Sequence, residues 1–578
     1  MFKLLKGLKG YDYLFFCVMV GFIVLQIYLD LKLPDYTKAI TEELFKDTTD
    51  SPINMGVILA NGGYMLACAV GSLACAVVVH YFTASISSRL AFNLRGKIYN
   101  KIQGFSLAEI NRFSTASLIT RTTNDITQVQ MFLSMGLACI VKAPITAVWA
   151  ILKILNTSWQ WSTATGVAVG VMAIMILVVI LLALPRFKKI QTLTDNINRV
   201  SRENLTGIRV VRASNAEDYQ NAKFEKCNDD ITKNNLFANR VMGVMGPGMN
   251  LIMQGMSLAI YWIGAYIVSS ADGVSSMMVF MSYSMQVVMA FMLLIMIFIL
   301  MPRALISAKR INEVLDTKDS IMPGNYADEL NGTANVVFEN VSFKYPDADE
   351  YVLKDISFSA NEGETVAFIG STGSGKSTLI NLIPRLYDAT EGRVLIDGVD
   401  VKDYTFEALN KKIGYVPQRG VLFSGTVKSN VNFGDNNADD ETVKNAISVA
   451  QASHFVSKME NGIDGAIAQG GTNVSGGQKQ RLSIARAIAR NAEILIFDDS
   501  FSALDYKTDR KLRSALKKHT GKVTKFIVAQ RIGTIKDADK IIVLDNGNMV
   551  GIGTHDELLK SCPVYQEIAL SQLSKEEL

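Results

Sequence analysis

The sequence predicts an α-helical membrane domain of six spans over residues 1–315, a linker at 316–333, and an α/β domain built round a P-loop over 334–578. Three observations carry this. Six apolar runs in the first half each reach the roughly 20 residues that a bilayer requires. The second half alternates short apolar strands with helical runs, an α/β pattern. Between the strand Val366–Ile369 and the helical run Leu379–Leu386 stands Gly370-Ser-Thr-Gly-Ser-Gly-Lys-Ser377. Strand, G-x-x-x-x-G-K-S, helix is a phosphate cradle.

The six runs are Leu14–Leu31, Met55–Ala84, Met131–Leu155, Ser162–Leu184, Met245–Val268 and Met277–Leu300. The first is too long for a signal-peptide core, and no small-residue cleavage site follows it. It starts so near the N-terminus that no peptidase domain is expected before it. Positive charge sets the expected orientation. Lys3, Lys6 and Lys9 precede the first span. Arg89, Arg95, Lys97, Lys101, Arg112 and Arg121 fill the second loop, and Arg186, Lys188, Lys189, Arg199, Arg202, Arg209 and Arg212 the fourth. The first loop is acidic instead, with Asp35, Glu42, Glu43, Asp47 and Asp50. Lys and Arg accumulate on the cytoplasmic side, so both termini are expected inside a plasma (inner) membrane. The basic loops carry helical spacing and read as extensions of the spans.

Within the membrane half, Met277, Met281, Met285, Met289, Met292 and Met296 recur in steps of four or three on one face of the sixth span. Met242, Met245, Met249, Met253 and Met256 do the same near Pro247, where a kink is expected. A methionine face moulds itself to varied apolar ligands, and Met281, Met285, Met289 and Met292 are the candidate substrate path. The plain alternative is packing or lipid contact. Lys142 and Lys153 are costly in the third span, so each is expected to face a cavity or to snorkel. The net charge of +4 is too small to suggest nucleic acid. Six irregularly spaced cysteines fit neither a zinc site nor a disulfide framework.

In the linker, Pro323-Gly324 and Asn331-Gly332 are turn signals, as are Asp397-Gly398 and Asn546-Gly547 later in the chain. In the cradle, Gly370, Gly373 and Gly375 let the backbone N–H groups around Ser371, Thr372, Ser374 and Thr378 converge on phosphate oxygens, and the next helix adds its N-terminal partial charge. Lys376 suits β- and γ-phosphates, Ser377 suits Mg²⁺. Tyr345 can stack on adenine or simply be a surface aromatic. Gln418 offers an amide to Mg²⁺. Ser475, Gly476, Gly477 and Gln478 precede a helical run and form a second helix-terminal anion site. The strand Ile494–Phe497 ends at Asp498, a carboxylate placed for Mg²⁺. Ser502-Ala503-Leu504-Asp505 follows.

These pieces, in this order, resemble ATP-binding cassette (ABC) proteins over nearly the whole chain. GSTGSGKS is similar to Walker A, VSGGQ to the signature, ILIFDD to Walker B and SALD to the D-loop. Gln418 resembles the Q-loop glutamine and Tyr345 the A-loop tyrosine. Leu118–Ile126 and Glu203–Glu217 resemble the cytoplasmic loops of six-helix exporters. The resemblance implies a half-transporter working as a pair, with ATP and Mg²⁺ between two nucleotide-binding domains. One domain gives its Walker motifs; the other gives its signature, here Ser475 to Gln478 with Asp505. Helices at the loop tips are implied to couple ATP closure to the membrane domain.

Three departures from the family pattern bear on chemistry. Asp499 stands where a glutamate usually polarises the attacking water, with about 1.5 Å less reach. Gln530 stands where a histidine is usual; an amide can donate to a γ-phosphate but cannot carry charge. Gln469 and Gly470 replace the Glu and Arg often found before the signature. Two weakened positions beside an intact signature imply a heterodimer. This chain's Walker motifs then form a degenerate site, and a partner half-transporter brings a catalytic Glu and a switch His. The alternative is drift in a homodimer. The expected function is ATP-driven export of amphipathic small molecules such as drugs; lipid or peptide export and a non-pumping channel or regulatory subunit are the alternatives.

Overall fold

The structure is a computed structural model. It describes residues 2–5, 10–45, 53–155, 159–267, 271–327, 334–346, 348–434 and 439–572. Lys6, Lys9, Asp47, Asp50, Val268, Asn331 and Gly332 of the sequence reading lie outside the described residues. The chain divides into two compact units, one of residues 1–100 and 119–316, the other of 101–118 and 317–578.

The first unit is helical. Among the described residues, five helices are long and apolar enough to cross a membrane: Gly10–Leu44, Met55–Gln103, Thr115–Leu155, Trp159–Thr206 and Gly273–Leu294. The fifth expected span forms the helix Met245–Ile267. Asn250, Gln254, Pro247 and four glycines dilute its apolar content, so it falls short of the others on composition. The basic loops do continue the spans. Met55–Gln103 runs unbroken for 49 residues, about 70 Å at 1.5 Å per residue and more than twice the hydrocarbon thickness. The expected kink near Pro247 is a break at Val244, between the helices Glu217–Gly243 and Met245–Ile267. Proline has no N–H for the carbonyl four residues earlier, that of Gly243.

The first helix buries Met19, Ile23, Ile27 and Leu31, every fourth residue, in a core shared with Trp161, Met256, Ile260, Phe280 and Val287. This helix is also longer than expected, and it corrects the reading of the acidic first loop. Asp35, Glu42 and Glu43 lie on the helix itself, which continues through Pro34 to Leu44. Their charges have partners there. Lys153 Nζ is 3.0 Å from Asp35 Oδ2, and Lys142 Nζ is 3.6 Å from Asp30 Oδ2. The Tyr283 hydroxyl donates to Asp35 Oδ1 at 2.6 Å, and Ser72 Oγ donates to Asp30 Oδ1 at 2.5 Å. The two lysines of the third span are thus paired with the first helix.

The second unit is α/β. Its six-stranded sheet runs in the order Asn548–Gly553, Lys540–Asp545, Thr365–Gly370, Thr524–Val528, Ile494–Asp498, Ile413–Val416. The first pair is antiparallel and every other pair is parallel. Thr365–Gly370, Ile494–Asp498 and Thr524–Val528 are buried without alternation because helices and loops cover both faces. A four-stranded antiparallel sheet packs beside it, in the order Leu353–Ala360, Val336–Phe343, Glu391–Ile396, Val399–Asp400. Asp397-Gly398 and Asn546-Gly547 turn their hairpins with both residues at positive φ, 52° and 80° in the first and 47° and 82° in the second. The helix Leu107–Phe113 belongs to this unit. It starts in a capping box of Ser106 and Glu109, and Asn111 Nδ2 donates to the Tyr387 hydroxyl at 3.2 Å.

Candidate functional site

Parallel strands bring the candidate residues together. Val528 lies beside Phe368 on one side and Asp498 on the other, and Val416 lies beside Phe497. Four strands therefore end at one edge. The cradle follows the first of them, Asp498 and Asp499 close the second, Gln530 follows the third and Gln418 follows the fourth. Open parallel sheets bind ligands at such carboxyl ends.

The cradle requires its glycines. Gly370 has φ 155° and Gly375 has φ 96°, and a Cβ on Gly370 would stand 2.0 Å from the Leu544 carbonyl oxygen. Gly375 is the N-cap of the helix Lys376–Ile380. Lys376 Nζ curls back over the loop and donates to the carbonyls of Gly370 at 2.9 Å and Ser371 at 2.7 Å and to Ser374 Oγ at 3.3 Å. Burial lowers its pKa, opposed by the charges of Asp499 and Asp498. Ser377 Oγ donates to Asp498 Oδ1 at 2.7 Å. Burial raises the Asp498 pKa, and the Asp499 charge adds to this against the Ser377 hydrogen bond. A hydroxyl and a carboxylate in contact beside a lysine and a glycine-bent loop fit a nucleotide phosphate with a divalent cation.

Asp499 is 6 % exposed and sits at φ 44°, a left-handed conformation that aspartate tolerates. Its Oδ2 accepts from Gln530 Nε2 at 2.8 Å and lies 3.4 Å from Gln418 Nε2. The sequence reading sent Gln418 toward Mg²⁺ and Gln530 toward a γ-phosphate; here both amides meet on one carboxylate oxygen. Tyr345 stands beside the cradle helix, its hydroxyl 2.9 Å from Thr378 Oγ1, with its ring edge-on to Phe343 and Tyr387. Thr378 itself is buried.

The signature segment caps a helix. Ser475 is the N-cap of Gly476–Ala489 in a capping box with Gln478. A Cβ on Gly477 would stand 3.3 Å from the Ala503 carbonyl oxygen, so this glycine lets the serine–leucine turn approach. Asp505 caps the helix Tyr506–His519 by accepting from the Thr508 N–H at 2.9 Å, and hydrogen bonds from the Thr508 side chain and then from its N–H hold the carboxyl below the usual range. Before the signature, Gly470 has φ 66° and its carbonyl accepts from Lys479 Nζ at 2.8 Å.

On the sixth span, Met285 and Met289 are exposed at 37 % and 52 %, and Met281 and Met292 are half-buried. On the fifth, Met249 and Met256 are buried, so packing explains those two. The Met296 side chain is outside the described residues. Sequence reasoning missed Gln572. It stands at the end of the last described helix, Pro563–Gln572, and reaches the Gln530 loop. A glutamine near a chain end carries no motif that points to such a contact.

Comparison with known proteins agrees with this geometry. Residues 16–291 match the model of the ABC transporter transmembrane region, and residues 353–502 match that of the ABC transporter. The chain is 40% identical over 550 residues, 94% of its length and 93% of the relative's, to an "Uncharacterized ABC transporter ATP-binding protein" of Mycobacterium tuberculosis. It is 28% identical over 582 residues, 100% of its length and 96% of the relative's, to an "ATP-dependent lipid A-core flippase" of Aromatoleum aromaticum. The structure of a bacterial Atm1-family ABC exporter with ATP bound superposes with a TM-score of 0.78 at 25% identity, over 97% of this chain and 99% of that one. With its multi-pass helical domain followed by a P-loop ATP-binding domain in the exporter fold, this chain belongs to the ABC transporter family.

Proposed function

We infer that this chain is one subunit of a heterodimeric exporter of amphipathic molecules, most suitably drugs, and that the ATP site on its own Walker motifs turns over slowly. The observation that carries this is the Asp499 carboxylate, whose Oδ2 is taken up by two side-chain amides, Gln530 and Gln418. A general base must meet water within hydrogen-bond reach. Asp499 is short and buried, and one of its two oxygens, Oδ2, is already engaged. Gln530 donates without bearing charge, so it cannot stabilise growing negative charge as a protonated imidazole would.

ATP still binds in this reading. The backbone N–H groups from Ser371 to Thr378 and Lys376 hold the phosphates, and Tyr345 flanks the adenine. Ser377, Asp498 and Gln418 would hold Mg²⁺, which neutralises phosphate charge when bound. Ser475, Gly476, Gly477, Gln478 and Asp505 serve the partner's site, where a competent Glu and His belong. The basic charge of the loop extensions supports a plasma-membrane protein with both termini in the cytoplasm. Met285 and Met289, exposed on the sixth span, suit a pliable apolar substrate.

The test is ATP-dependent uptake of an amphipathic dye into inverted vesicles. The reading expects little uptake with this chain alone. It expects strong uptake when the chain is paired with a half-transporter carrying Glu and His at the positions of Asp499 and Gln530. Full uptake by this chain alone contradicts it. Lipid export is the second reading, favoured by the full-length similarity to a lipid A-core flippase; fluorescent lipid in the same vesicles separates the two.

A further inference from the structure

The loop Gln530–Ile532 is held from a distant part of the chain. Gln572 Nε2 donates to the Gln530 carbonyl oxygen at 2.8 Å, and Gln572 Oε1 accepts from the Ile532 N–H at 2.9 Å. One amide side chain thus clasps both sides of Arg531. The helix Ile532–Ile535 has Arg531 at its N-cap and no side-chain cap of its own. A helix start leaves N–H groups without partners, and Gln572 satisfies that of Ile532 from another helix. The helix that carries Gln572 is firmly seated. Tyr565 and Ala569 are fully buried, and the Tyr565 hydroxyl is 2.7 Å from His555 Nδ1.

The clasp matters because of what Gln530 does at its other end. Its carbonyl is gripped by Gln572 while its side-chain amide reaches Asp499 Oδ2. Two hydrogen bonds joined through Gln530 therefore link the last described helix to the carboxylate beside Walker B. Fixing the carbonyl and the second residue after it leaves the Gln530 backbone little room to turn. Its side chain then projects toward the same edge as the cradle.

We propose that Gln572 is a positioning residue of this chain's ATP site, holding the Gln530–Ile532 loop so that the Gln530 amide stays aimed at the γ-phosphate end. The inference rests on the reading of the cradle as an ATP site. It takes the C-terminal helix from a packing element to a part of nucleotide discrimination: ATP, with its γ-phosphate, meets Gln530, and ADP does not.

The test uses the purified full-length chain and two readouts. The first is hydrogen exchange of the 530–535 amides without nucleotide. Gln572→Leu removes both bonds and should speed exchange there about threefold to tenfold, the worth of roughly one hydrogen bond. The second is the ratio of ATP to ADP affinity, read by displacement of a fluorescent ATP analogue. That ratio should fall several-fold in Gln572→Leu. Gln572→Glu, which keeps the acceptor for Ile532 and loses the donor, should fall between. In a Gln530→Ala background, Gln572→Leu should change the ratio no further, because the effect passes through Gln530. An unchanged ratio in Gln572→Leu overturns the proposal, as does an equal loss of ATP and ADP binding in both backgrounds, which marks a docking role alone. Absence of ATP binding by the unaltered chain overturns the ATP-site reading itself, and is seen before any variant is made.

Discussion

Asp35 of the first helix holds Lys153 of the third span at 3.0 Å and the hydroxyl of Tyr283 on the sixth at 2.6 Å. One carboxylate therefore ties three helices together. A lysine in a span is expensive without a partner, and Asp35 gives Lys153 one. Asp35→Ala should lower the thermal midpoint of the purified protein more than Lys153→Met, since it removes the carboxylate partner of a cation and of a phenol at once. The Asp35→Ala/Lys153→Met pair should recover part of the loss, with a coupling of about 1 kcal/mol, within the range found for polar contacts in membranes. Additive losses would mean that the ion pair contributes nothing.

The methionine face makes a second prediction. Met285 and Met289 are exposed while their neighbours Val287 and Val288 are buried, so these methionines are not needed to hold the bundle. Replacing Met281, Met285 and Met289 with Ala should alter substrate-stimulated ATPase activity severalfold and basal activity much less. Different compounds should be affected unequally, because a pliable face is lost. A parallel fall of basal and stimulated rates for every compound would assign the three residues to packing.

Orientation can be read chemically. Cys227 is half-buried on the helix Glu217–Gly243, between the fourth and fifth expected spans. In a variant lacking the other five cysteines it should resist a membrane-impermeant maleimide in intact cells and react after permeabilisation. Rapid labelling in intact cells would place the basic loops outside.

Much of this architecture was legible because it is local. The glycines, lysine and serine of the cradle, the apolar strand ending in Asp498 and the cap Ser475 lie within a few residues of the elements they shape. Periodicity revealed the long helices for the same reason. What stayed hidden joins distant residues. Lys142 and Lys153 stand out as anomalies in the sequence, but nothing local ties them to Asp30 and Asp35, and the acidic residues from Asp35 on suggest a loop where the helix continues through Pro34. Gln530 and Asp499 were each marked as departures from a family pattern. Their mutual hydrogen bond depends on two neighbouring parallel strands ending in register, which strand order decides and local sequence does not. Gln572 lay beyond both kinds of signal.

In the proposed function the ATP site on this chain's Walker motifs contributes little to turnover, while its signature serves a competent partner site. The measurement is the ATPase rate of the assembled transporter carrying Asp499→Asn, with ATP binding to this chain checked separately and Ser475→Arg as the contrasting variant. Asp499→Asn should keep more than about half of the turnover, because Asp499 Oδ2 is already engaged by Gln530 and Gln418 and the proposed function puts most turnover at the partner's site. Ser475→Arg should remove most of it by placing a bulky cation at the partner's γ-phosphate position. Near-complete loss in Asp499→Asn with ATP still bound would make Asp499 a working base and contradict the account.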